Sequence, residues 1–155
     1  MPVDLIGNYN TQEGETYIGG GVVVEQYQYD PAQAGNLVNG NLVVFEDLTT
    51  PSIGPVLIKK STTTADFRMV GIVINAPTGG YVPGSIVQVV VKGWCLALFD
   101  ANNTVVNNLA LQSTTTAGTL TNNAAATLGK TMGVVMEAVT IASGTALVPC
   151  YIGKF

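Results

Sequence analysis

Histidine is absent from this 155-residue chain. That removes the commonest general base and the commonest metal ligand. It also removes any Ser-His-Asp or Cys-His nucleophile built within the chain. Charge is scarce: Asp, Glu, Lys and Arg make up 10% of the residues, against about 25% in an average soluble domain. Six basic residues and a formal net charge of −4 leave no basic footprint for nucleic acid. There are two cysteines, Cys95 and Cys150. Each lies inside an apolar run without paired metal-ligand spacing, so both read as buried reduced thiols rather than as zinc ligands or a disulfide. No apolar run reaches the length of a membrane helix, and the longest clean ones, 86–91 and 94–99, are strand-length. The opening Met1-Pro2-Val3-Asp4 lacks the basic-then-apolar order of a signal peptide. No window sustains helical spacing.

What is present is apolar and β-rich. Apolar residues make up 47% of the chain, and with so little charge to cover the surface, buried subunit contacts are expected. From Val22 onward, short runs of Val, Ile, Thr, Tyr and Phe alternate with turn residues. The expected strands are 22–29, 41–46, 55–58, 67–75, 85–92, 94–99, 109–112, 131–139 and 146–152. Turn signals separate them, among them Asn39-Gly40-Asn41, Thr78-Gly79-Gly80, Pro83-Gly84 and Ser143-Gly144. Residues 121–128, with Ala124-Ala125-Ala126, are the one place for a turn or two of helix. Residues 1–21 are polar and Gly-rich, ending in Gly19-Gly20-Gly21. They read as an extended N-terminal arm ahead of a β domain over 22–155. The expectation is an all-β chain: a compact barrel or sandwich.

An internal repeat sharpens that expectation. Ser61-Thr62-Thr63-Thr64-Ala65 recurs as Ser113-Thr114-Thr115-Thr116-Ala117, and Met69-Val70-Gly71-Ile72-Val73 is echoed by Met132-Gly133-Val134-Val135. The strand from Gly84-Ser85-Ile86-Val87 to Gly93 is echoed by that from Gly144-Thr145-Ala146-Leu147 to Gly153. Two such units packed face to face enclose one core.

Reactive constellations are weak. Glu46-Asp47 is the only adjacent carboxylate pair, and it sits where a strand meets a turn, so a solvated turn is its reading. Residues 124–131, ending Gly129-Lys130-Thr131, resemble a loose phosphate-binding loop. Such a loop needs a strand before it and a helix after it, and here an Asn pair precedes and a β-like run follows. No cofactor or metal is expected. Trp94, within Trp-Cys-Leu-Ala-Leu-Phe, reads as a core or interface anchor before it reads as a sugar platform. Tyr27 and Tyr29 share one face of their strand and are candidates for partner contact.

The segments Gly40-Asn41-Leu42-Val43-Val44, Val70-Gly71-Ile72-Val73 and Gly84-Ser85-Ile86-Val87-Gln88-Val89-Val90-Val91-Lys92-Gly93 resemble the small head-decoration, or cement, proteins of tailed bacteriophages. The likeness covers residues 40–155 and consists of structural residues. It implies a virion protein, made in the host cytoplasm, that sits on the outer capsid surface. It implies a body, often trimeric, that bridges subunits of the major capsid protein, with a terminal arm on the shell. In this chain the arm contacts would fall on Leu5, Ile6, Tyr9, Tyr17 and Ile18. The family supplies no catalytic residues, and neither nucleic acid nor membrane is an expected partner. One alternative is a glycan-binding fibre or adhesin module, which calls for an exposed Trp94 or Tyr81; the other is a small enzyme with the loop around Gly129-Lys130-Thr131 as its site, which calls for nucleotide binding.

Overall fold

The computed structural model describes residues 15–18, 21–46, 56–100, 103–105, 110–123 and 131–153. Among them there is no helix, and the all-β expectation holds. In chain order the strands are β1 (Glu15–Ile18), β2 (Val22–Tyr29), β3 (Leu42–Phe45), β4 (Leu57–Lys60), β5 (Met69–Ile74) and β6 (Ile86–Phe99). They continue with β7 (Asn103–Val105), β8 (Ala110–Ser113), β9 (Leu120–Asn123), β10 (Gly133–Val135), β11 (Val139–Ile141) and β12 (Ala146–Ile152). The runs at 22–29 and 146–152 form strands over the expected residues. The run at 131–139 is two strands, because backbone pairing passes from β8 and β12 on β10 to β7 on β11. Leu120–Asn123 pairs with β8, so the first residues of the expected helical stretch are extended. The rest of that stretch, with Gly129-Lys130, lies outside the described residues.

The pairings form two rings that share β6. In the first ring β6 pairs with β2 and β5, β5 with β3, β3 with β4, and β4 closes on β2 through a short parallel contact. In the second ring β6 pairs with β12, β12 with β10, β10 with β8, β8 with β9, and β9 closes on β6 in parallel at Phe99 and Leu120. Strand for strand the second ring repeats the first, with the early half of β6 matched by β12 and β2 matched by the late half of β6. The repeat seen in sequence is therefore structural for the Gly-Val strands and the Val-rich strands. The two Ser-Thr-Thr-Thr-Ala stretches are a different matter. The first follows β4 and the second follows β8, strands that do not correspond. Instead the two loops bind each other: Ser113 Oγ donates to Thr63 O over 2.6 Å, and Gly118 N donates to Ser61 O over 2.8 Å.

The strand β6 passes from one ring to the other at Gly93, where φ is +109° and a Cβ would lie 2.8 Å from Val22 Cα. Only glycine accepts both conditions cheaply. A register shift between Val23 and Val24 of β2 lies beside this crossing, where a bulge adds bend and twist. The sequence expectation of two strands broken at Gly93 is corrected accordingly: the glycine bends a single strand rather than ending it.

Two buried clusters follow from strand alternation. Tyr29, Leu37, Val43, Ile58, Val73, Val87 and Val89 fill the first. Val24, Leu42, Val44, Ile72 and Val90, from the opposite faces of the same strands, join Phe99, Leu111, Leu120, Val148 and Ile152 of the second ring in the other. Strands β3 and β5 are thus buried on both faces, which is why they read as continuous apolar runs.

Candidate functional site

From Trp94 onward β6 alternates: Cys95, Ala97 and Phe99 turn inward to the larger core, so Trp94, Leu96 and Leu98 turn outward. Their direct partners on β12 are Tyr151, Pro149 and Leu147, and opposite residues of an antiparallel pair share a face. The outer face of this strand pair is therefore six apolar or aromatic side chains with no charge among them. Trp94, Leu96 and Leu147 remain 50%, 51% and 47% exposed. The indole of Trp94 meets the Tyr151 ring edge-on, with centroids 5.8 Å apart and planes at 90°. Lys92 and Asp100 are the charged residues at the two ends of the stripe in sequence.

A shallow cleft of about 290 Å³ opens beside the stripe, lined by Asn39, Gly40, Val73, Ile74, Asn75, Leu96 and Leu147. It lies where the two rings meet. The Gly40 N–H donates to Val73 O of the first ring, and Gly40 O accepts from the Leu98 N–H, each at 2.9 Å. Gly40 has φ +89°, and a Cβ there would stand 2.4 Å from Leu147 Cδ2 and 3.1 Å from Leu98 Cγ. Glycine at this position lets the loop lie flat on the strand pair. Asn39 Oδ1 accepts from the Ala76 N–H over 2.7 Å, and Asn75 donates to Gln88 over 2.7 Å. The cleft has no ionisable lining residue. Its lining offers apolar contact and a few amides.

Several ionisable groups with displaced titration lie away from the cleft. Asp30 is held below the usual carboxylate range by the Gln33 amide at 2.7 Å and the Ala32 N–H at 2.9 Å. For Asp66 burial pushes the pKa up, but the Arg68 guanidinium at 2.9–3.0 Å and the Arg68 N–H outweigh it, and the net shift is down. Burial pushes the Tyr27 hydroxyl up, reinforced by its hydrogen bond to the Glu25 carboxylate. No cluster of His, Cys, Asp and Glu among the described residues is arranged to hold a metal.

Leu5, Ile6 and Tyr9 lie outside the described residues. Tyr17 and Ile18 lie in β1, with their backbones paired to Val23 and Val22. That part of the expected arm is a strand of the sheet, because the Val-rich β2 offers it an unpaired edge. Among the described residues β1 pairs only with β2. Of Tyr27 and Tyr29, the two candidates for partner contact, Tyr29 is corrected by its burial and Tyr27 is partly buried. Tyr29 is 1% exposed and donates to Gly35 O over 2.8 Å, while Tyr27 packs edge-on against Phe45 at 5.8 Å. Tyr81 donates its hydroxyl to Asn75 O over 2.9 Å and to Ile74 O over 3.2 Å. Leu96, Leu98, Leu147, Pro149 and Tyr151 were not singled out by sequence reasoning. The available signal was that residues 94–99 are apolar at every position, whereas a strand with one solvated face alternates.

No protein-family model matches the sequence, and no curated protein matches it. Among solved structures the chain is similar to one described as the head fiber gp8.5 N base of bacteriophage phi29. The likeness has a TM-score of 0.49 and 13% identity, and it covers 86% of this chain and 98% of that one.

Proposed function

We propose that this chain is a structural component of a bacteriophage virion, without catalytic activity, that decorates and stabilises the outer capsid surface by bridging subunits of the major capsid protein. The observation that carries the proposal is the uncharged outer face of β6 and β12, centred on Trp94 and Leu96. A half-exposed Trp within a stripe of Leu, Pro and Tyr is the make-up of a protein contact. Low charge over the whole chain points the same way and favours a homo-oligomer, a trimer in the proposed assembly. Among the described residues the outer edge of β1 carries no further strand, which suits addition of a strand from a neighbouring subunit, with Leu5, Ile6 and Tyr9 ahead of it in sequence as further contacts. A molecule that binds several subunits at once stabilises only the assembled shell, by mass action.

The test is to add purified protein to shells that lack it and to measure occupancy and the temperature of shell disruption. Occupancy and a raised disruption temperature are expected. The double variant Trp94→Ser, Leu96→Ser should lose at least tenfold in affinity, and deletion of residues 1–14 should reduce occupancy while the body still folds. Absence of binding by the intact protein to any candidate shell would sink the reading.

The exposure of Trp94 also favours a second reading, a glycan-binding module. Sugar recognition needs polar groups around the aromatic platform, and the neighbours of Trp94 on its face are Leu96, Pro149 and Tyr151. Quenching or enhancement of Trp94 fluorescence by a saccharide, lost in Trp94→Ser, would move the assignment to this class.

A further inference from the structure

Cys95 and Cys150 are the two cysteines of the chain, and both are free thiols. They face each other directly across the β6 and β12 pair, with their sulfurs 3.7 Å apart. Directly opposed residues of an antiparallel pair hold their Cα atoms about 4.5–5.5 Å apart, inside the roughly 4.4–6.8 Å span of a disulfide. Closing the remaining gap to about 2.05 Å between sulfurs therefore asks for side-chain rotation and no change of register. Cys150 is buried and Cys95 only partly so, with the Cys95 side chain turned toward the larger core, so Cys95 is the less enclosed of the two and the one a reagent meets first.

We infer that Cys95 and Cys150 form a reversible redox staple, sealed by exchange with a small-molecule disulfide such as oxidised glutathione. The Cys95 sulfur, once deprotonated, attacks one sulfur of the reagent. The S–S bond of the reagent breaks, a mixed disulfide forms at Cys95, and one reduced thiol leaves. The Cys150 sulfur, giving up its proton, then attacks the Cys95 sulfur and displaces the second reduced thiol. Two protein thiols lose two electrons and two protons, and the reagent takes up both pairs as two thiols. The bond joins residues 55 apart in sequence, directly beneath the Trp94 and Leu96 face. Its effect is to fix the two strands that display that face. The neighbouring Cys150 sulfur and burial both push the Cys95 thiol up, so the first step is slow in the native protein and the staple closes over hours rather than at once.

The test uses the full chain. Native protein is incubated with excess oxidised glutathione at mildly alkaline pH, and in parallel unfolded protein is refolded in a glutathione redox buffer, which removes access as a variable. The expected product of either route is a monomeric chain lighter by two hydrogens. It should have no titratable thiol after unfolding and a thermal midpoint raised by roughly 5–10 °C. Dithiothreitol should reverse all three. Cys150→Ser should instead retain a glutathione adduct on Cys95, and Cys95→Ser should stay unmodified while native. If both thiols remain titratable by both routes, or the wild-type chain ends as a stable adduct or an intermolecular dimer, the inference is wrong.

Discussion

At the scale of single residues, two glycines set how closely strands can lie. A Cβ on Gly71 would stand 2.2 Å from Val90 O, and one on Gly133 would stand 2.1 Å from Tyr151 O. Both glycines lie on the Gly-Val strand of their ring, against the backbone of the Val-rich strand beside it. Neither has the positive φ that glycine alone favours, so the cost of replacing them is steric. Gly71→Ala and Gly133→Ala are each expected to destabilise the protein by about 2–3 kcal/mol, the upper part of the range for overpacking. Urea denaturation with an unchanged slope would measure it, and a loss under about 0.5 kcal/mol would show that the strands can part without penalty. Asp66 makes a second prediction at this scale. Its folded pKa is depressed, so the stability it contributes is full above the ordinary carboxylate value and is lost as pH falls through the folded value. Asp30 acts in the same sense. The wild type should lose stability below about pH 4. Asp66→Asn should weaken the protein by about 2 kcal/mol at neutral pH, through the lost charge-assisted bonds to Arg68, and should flatten the acid limb. An acid limb as steep in the variant as in the wild type would remove Asp66 from the account.

At the scale of elements, β6 is the piece on which the rest depends. It runs 14 residues, contributes to both rings, and turns between them at Gly93. Gly93→Val combines a disfavoured φ with a Cβ 2.8 Å from Val22 Cα. It is expected to cost about 3 kcal/mol or more and to loosen both rings together. Amide exchange would show this as lost protection on β2 and β12 alike. Protection lost on one ring only would mean that β6 behaves as two strands after all. The same element carries the apolar stripe, and there the expected pattern is the reverse. Trp94→Ser with Leu96→Ser removes half-exposed side chains, so folding stability should fall by no more than about 1 kcal/mol, whereas association should fail. A large loss of stability would reassign the stripe to the fold.

At the scale of the whole molecule, the larger core draws on both rings: Leu42, Val44, Ile72 and Val90 from one, Phe99, Leu111, Val148 and Ile152 from the other. The rings also share a strand and bind each other through the Thr63 and Ser113 loops. Scanning calorimetry should therefore show one cooperative transition, with calorimetric and van't Hoff enthalpies in agreement. Two separate transitions would mean that the cluster shared by the rings does not couple them. Much of this was legible in the sequence. Residue choice and turn spacing determined an all-β chain and most strand positions, because β-branched runs and Gly, Asn and Pro turns act locally. The Gly-Val repeat marked the two rings, because each ring needs a glycine where backbones approach. The absence of histidine already set aside the commonest catalytic arrangements. Other features were decided only by the tertiary structure, since each depends on what lies across the sheet rather than along the chain. Gly93 reads locally as a strand end, and only the passage between two rings makes it a bend. The Ser-Thr-Thr-Thr-Ala stretches look like one more repeat, and only the topology makes them partners. Cys95 and Cys150, and the stripe from Trp94 to Tyr151, are assembled by the register of β6 on β12, a pairing between segments far apart in sequence that local propensity does not encode.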